Sequence, residues 1–147
     1  MYKLILVLHL LAATVWTGGH LFLALGILPK VLKTNNHNIL LDFERVYEKI
    51  GMPALIIQVL SGIYLAYHLL PDLSQWFSFS NHLSIHIGIK LLLLIATVTL
   101  AIIANVKLIP NLSKGNNLKI MAAFAYTVTL LGVLFAITGI SFRLNIF

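Results

Sequence analysis

The residues of this chain best equipped for chemistry are its six histidines and Lys90, a lysine set among apolar neighbours. Neutral imidazole ligates copper, zinc, iron and nickel ions, and haem iron. At helical spacing these residues fall into stripes. His9, Ala13, Trp16 and His20 share one face, and the two histidines lie about 16 Å apart along the axis. Ala54, Gln58, Ser61, Leu65 and His68 form a second stripe, and His82, His86, Lys90, Leu93, Thr97 and Ala101 a third. His82 and His86 stand at i and i+4, a spacing from which one helical face chelates one ion. Ala125, Thr129, Gly132, Ala136 and Gly139 make a small-residue face, with Tyr126 beside it.

Other chemistries are missing. Without cysteine there is no disulfide, thiolate metal site or Fe–S cluster. The chain has no H-E-x-x-H, no glycine-rich phosphate loop and no Ser/His/Asp set, so no catalytic residue is assigned. Met1, Met52 and Met121 form no pair on one helix. Soft sulfur ligands select Cu(I). Their absence leaves histidine-only chemistry: Cu(II), a mixed-state copper site, or haem.

The elements that must position these groups are membrane spans. The chain has 147 residues, 60% hydrophobic and only 10% charged, against about 25% charged in a soluble domain. Four apolar runs, at about 4–28, 51–70, 83–109 and 118–142, are long enough to cross a hydrocarbon core of about 30 Å. Pro29 and Pro110 are expected to end the first and third, and Pro53 to lie in the first turn of the second. The first run exceeds a signal-peptide core and is read as a span. The fold expected is a single-domain, all-α, four-span, up-down-up-down bundle in a lipid bilayer. Residues 38–50 mix Asp42, Glu44, Arg45, Glu48 and Lys49 with Leu40, Leu41, Phe43, Val46 and Tyr47, and read as a short amphipathic helix lying at the interface.

The net charge of +6 sits mainly in loops, where it reads as topology rather than nucleic-acid binding. Lys30, Lys33, Arg45, Lys49, Lys107, Lys114 and Lys119 lie toward one side, and Lys3 and Arg143 toward the other. The basic side is expected to be cytoplasmic, with both termini outside, in a bacterial inner membrane. Depth then sorts the polar groups into layers. His9, His68, His82, His86 and Lys90 form an outer layer, and His20, Gln58 and Tyr126 a thinner inner one. His37 is read as a loop residue. His9 and His86, on diagonal spans, are expected to face each other at similar depth, as the axial ligands of a bis-histidine haem would. The small-residue face of the last span is expected to pack a homodimer or small oligomer.

The segment His9–Pro29 resembles the opening span of the copper resistance protein D (CopD-like) membrane family, through an H-x6-W-x-G-G pattern and an inner proline. These are His9, Trp16, Gly18, Gly19 and Pro29. Leu60–Tyr67 is similar to that family's next span, His86–Leu94 resembles its following span with Lys90 at the lysine, and Asn105 and Pro110 match its N…P ending. The resemblance covers nearly the whole chain and implies copper handling across the inner membrane. The family is distantly similar to membrane-bound protoporphyrinogen oxidases, small haem-binding helical proteins. Their His-x-x-x-Lys start is matched by His86 and Lys90, while the arginine segment after their first span is not: the sequence here is LPKVLK. His20 belongs to neither pattern.

Three functions follow as expectations. One is copper binding for transport or resistance through His9, His86, His82, His68 and His20. Another is a b-type haem protein, a haem-dependent oxidoreductase, with His9 and His86 as axial ligands and Trp16 and Lys90 in the cofactor site. The last is a cofactor-free transporter or structural subunit with the histidines as hydrogen-bonded glue. The topology is directly testable: a cysteine introduced at Asn36 should resist an impermeant thiol reagent in intact cells, while one at Ser80 should react. The reverse pattern overturns the orientation.

Overall fold

The computed structural model describes residues 1–114 and 117–144; the centre of the expected 111–117 loop, Asn116 included, lies outside the described residues. Of the described residues 91% are helical and none is in a strand. The elements are α1 (Tyr2–Phe22), a π turn (Leu23–Ile27), α2 (Leu28–Thr34), α3 (His37–Leu69), a 3-10 turn (Leu73–Gln75), α4 (His82–Ile103), a second π turn (Ala104–Leu108), a second 3-10 segment (Ile109–Lys114) and α5 (Leu118–Leu144). Four continuous stretches, Tyr2–Thr34, His37–Leu69, His82–Leu112 and Leu118–Leu144, are long and apolar enough to cross a bilayer. The chain is a multi-pass membrane protein built as an all-α four-helix bundle.

Side chains fix how the helices run. Tyr2, at the start of α1, stacks on His68 at the end of α3, with ring centroids 4.9 Å apart. His82, at the start of α4, hydrogen-bonds the Phe142 carbonyl near the end of α5. Both pairs are therefore antiparallel. The chain beginning, the 70–81 connection and Phe142 mark the terminal end of the bundle; residues 35–36 and the end of α4 mark the far end.

Local chemistry places the boundaries. Asn35 is left-handed (φ 49°) and ends α2, as asparagine does at helix C-termini. The Asn36 side chain accepts from the Asn38 N–H and starts α3. Asn81 and Ser84 form a reciprocal capping box on α4. In the 70–81 connection, Asp72 accepts from Ser74 and Gln75, which holds its carboxyl below the usual carboxylate range. The Trp76 indole N–H donates to the Leu70 carbonyl at 2.8 Å.

Three expected boundaries are corrected. Pro29 does not end the first span. The π turn before it re-phases the chain, and Pro29 falls in the first turn of α2, where its missing N–H is tolerated. Pro110 likewise sits within the 3-10 segment that prolongs the third span. The amphipathic segment 38–50 is not a separate interfacial helix. It is the first part of α3, whose 33 residues span about 50 Å. Pro53 therefore lies inside that helix. It and Lys49, whose carbonyl it orphans, are both exposed, where water or headgroups can reach.

The segment stays on the helix axis because its apolar face has a protein partner. Leu40 is fully buried against Leu28 and Val31 of α2, in a cluster completed by Leu112, Leu118 and Met121. The tightest core thus lies at the far end. A smaller cluster of Trp16, Leu55 and Val128 fills the middle. By contrast α3 and α4 scarcely approach each other, leaving a lateral seam between the second and third spans. Part of the small-residue face of α5 packs inside the bundle, where Gly132 meets Thr17 and Gly139 meets Lys90, while Ala136 of the same face is exposed.

One contact sets the register of α1 against α3. The Tyr47 ring lies between two glycines: a Cβ on Gly19 would collide with Tyr47 Cε2, and one on Gly51 would stand 2.8 Å from its Cε1. Held on both sides, the ring has nowhere to go. Gly19→Ala should therefore destabilise the protein by about 1–3 kcal/mol through overpacking. Gly18→Ala, which meets nothing within 4 Å, should gain about 0.5–1 kcal/mol from helix propensity. Thermal unfolding of the two variants in detergent compares them, and equal midpoints would remove the slot from the argument.

Candidate functional site

Two polar clusters lie in the bundle, one toward each end. The first centres on His9. Gln58 Nε2 donates to His9 Nε2 at 3.3 Å, and His9 Nδ1–H donates to Ser61 Oγ at 2.9 Å. The Ser61 hydroxyl in turn donates to the Ile57 carbonyl. With Gln58 Nε2 as the donor, the His9 proton sits on Nδ1 and the Nε2 lone pair accepts from Gln58. Gly62 lets the ring lie against α3: a Cβ there would be 3.1 Å from His9 Cε1. The other side-chain atom of Gln58, Oε1, is buried without a partner.

Lys90 of α4 lies within electrostatic range of His9, and its Nζ fits against the bare Cα of Gly139 on α5, 3.8 Å from where a Cβ would stand. Lys90 has no hydrogen bond or ion pair among the described residues, whose one salt bridge is Arg45–Asp42 at 3.8 Å. A half-buried ammonium without a counter-charge among the described residues is costly in a membrane.

The remaining histidines of the expected outer layer lie apart from His9. His86 is buried between α4 and α5. Its Nδ1–H donates to the His82 carbonyl at 2.8 Å, and its ring packs on those of His82 and Phe142. His82 stacks on Phe142 and spends its Nε2–H on the Phe142 carbonyl. His68 is exposed and stacked between Tyr2 and Tyr64. His9 thus faces α3 while His86 faces α5. Among the described residues no three His, Asp or Glu side chains gather around a point that could hold a metal ion.

The second cluster centres on His20. Its Nδ1–H donates to the Trp16 carbonyl at 3.0 Å, and the Tyr47 hydroxyl donates to the same oxygen at 2.9 Å. The Trp16 and His20 ring centroids are 4.4 Å apart, and Tyr47 meets the His20 ring edge-on. Thr129 of α5 donates to the His20 carbonyl. The expected inner layer of His20, Gln58 and Tyr126 is thereby dissolved. Gln58 belongs to His9, and Tyr126 is exposed with no hydrogen bond among the described residues. Trp16, expected in a cofactor site, is buried among Leu55 and Val128 and lies against His20.

Sequence reasoning missed Ser61 as a partner of His9, although it shares a stripe with Gln58. It also missed Tyr47, whose signal was Gly51 one turn later on the same face. No known family profile matches the chain, and no curated protein or solved structure matches it either.

Proposed function

We propose that the chain is a b-type haem-binding membrane protein, with His9 as an axial ligand and Lys90 as the partner of a haem propionate. One observation carries this reading: an imidazole nitrogen held only by a long hydrogen bond from Gln58 and an ammonium without a counter-ion lie on the same side of the bundle core. A ligand that satisfies both must carry a metal centre and a carboxylate. Haem b carries both. A copper ion carries only the first, and the Lys90 charge beside His9 opposes it.

The donor set fits haem in a second respect. Histidine ligands usually donate their other ring N–H to an oxygen that orients them, and His9, His20 and His86 all do so. Room is the stricter test. The cavity around His20 measures only about 70 Å³, well below the about 300–1,000 Å³ typical of a cofactor site, so it does not take a porphyrin. The seam between α3 and α4 is the side from which a flat, lipophilic group would reach His9. When bound, haem supplies one-electron redox chemistry. The chain's own part is to hold the His9 tautomer, neutralise a carboxylate at Lys90 and exclude water. The resemblance of His86 and Lys90 to the His-x-x-x-Lys start of membrane-bound protoporphyrinogen oxidases supports the same reading. The excess of basic residues at the far end supports placing the His9 end outside the cytoplasmic membrane of a bacterium.

The optical spectrum of the purified protein tests this. A Soret band is expected, lost or shifted in His9→Ala. Ser61→Ala should weaken haem retention about 10–100-fold, as loss of an orienting partner does. Lys90→Met should also lower retention, whereas it would preserve or raise affinity for a copper ion. Colourless protein that takes up no haemin overturns the proposal. Stoichiometric copper in that protein would favour copper handling, and neither ligand would favour a cofactor-free role.

A further inference from the structure

We propose that the cavity at the far end of the bundle is a binding site for a small protonated amine, ammonium or a short alkylammonium ion. It is separate from the His9 cluster and does not rest on the haem reading. The cavity, about 70 Å³ and open on one side, is lined by residues of α1, α3, α4 and α5. Its polar lining consists of His20, Glu44, Tyr47, Glu48 and Asn105. What these groups have left to offer is almost entirely acceptor capacity.

The His20 proton is on Nδ1, spent on the Trp16 carbonyl, so Nε2 keeps its lone pair and has no partner among the described residues. The Tyr47 hydroxyl proton is spent on that carbonyl too, leaving its oxygen to accept. Asn105 donates through Nδ2 to the Ala101 carbonyl, leaving Oδ1 to accept. Glu44 and Glu48 have no hydrogen bond or ion pair among the described residues. Glu44 is half-buried and Glu48 exposed, which puts one carboxylate within the cavity wall and one toward its mouth. No lysine or arginine lines the space.

Such a lining calls for a cation that brings its own N–H donors. The aromatic faces of Trp16 and Tyr47 suit the same guest through cation–π attraction. A coordinated metal ion is disfavoured, because no three His, Asp or Glu groups among the described residues converge on a point. The volume would hold about two waters at ~30 Å³ each, the size range of methylammonium. The walls are also built rather than incidental. Tyr47 is fixed in its slot by Gly19 and Gly51. The two π turns contribute Leu23 from one side and Ala104 and Asn105 from the other, and such turns recur at functional sites.

Equilibrium dialysis of the detergent-solubilised protein against radiolabelled methylammonium tests the proposal. Saturable binding near one ion per chain is expected. Ethylammonium should compete, and tetramethylammonium, which has no N–H, should not. Glu44→Gln should weaken binding about 10–100-fold, the worth of a charge-assisted hydrogen bond. Asp42→Asn, outside the cavity, should not change it. Ala101→Leu fills the space without altering charge and should abolish binding, which keeps the test decisive if Glu44→Gln fails to fold. Absence of saturable binding, equal competition by potassium or tetramethylammonium, or full binding by a folded Ala101→Leu variant would overturn the proposal.

Discussion

The Tyr47 ring between Gly19 and Gly51 is the constraint on which the rest of the bundle depends. It permits one register of α1 on α3. With that register set, His9 meets Gln58 and Ser61 toward the terminal end, while His20 and Tyr47 converge on the Trp16 carbonyl toward the far end. The same slot keeps the polar first part of α3 on the helix axis. There its carboxylates border a cavity instead of lying among headgroups. Van der Waals fit, not hydrophobic exclusion, does this work, as it must where lipid tails are as apolar as the helix faces.

The four spans were legible because hydrocarbon thickness demands long apolar runs, and composition reports those directly. Their ends were less legible. Proline is a stop signal only while the helix keeps its ordinary phase, and the π turn before Pro29 changes that phase. The segment 38–50 misled for a related reason. An amphipathic pattern records that a face is apolar, not whether lipid or protein covers it, and here Leu28 and Val31 cover Leu40. In the site, His9 stood out because an ionisable group is rare in an apolar run. Its partners did not, since depth counted from span ends paired Gln58 with His20. The helices are offset along the axis, so counting put Gln58 in the wrong layer.

The two polar clusters are complementary in what they lack. Around His9 the uncompensated group is the Lys90 ammonium; around His20 it is the Glu44 carboxylate. The chain has acids and bases enough to pair them, yet keeps them on opposite sides of the Trp16, Leu55 and Val128 packing. Removing either charge would relieve a desolvation cost. Kept apart, the two groups would favour an anion beside the α3–α4 seam and a cation in the cavity at the far end.

That separation also makes the protein an electrical object. Lys90 and Glu44 carry opposite formal charges at different depths, so the bundle has a dipole with a component along the membrane normal. A membrane potential acts on such a dipole with about 2.3 kcal/mol per elementary charge per ~100 mV for a full crossing, and with a fraction of that for each partial depth. Filling the Lys90 side with an anion or the Glu44 side with a cation discharges one pole. A charged ligand entering either side would therefore cross part of that potential, without any helix having to move.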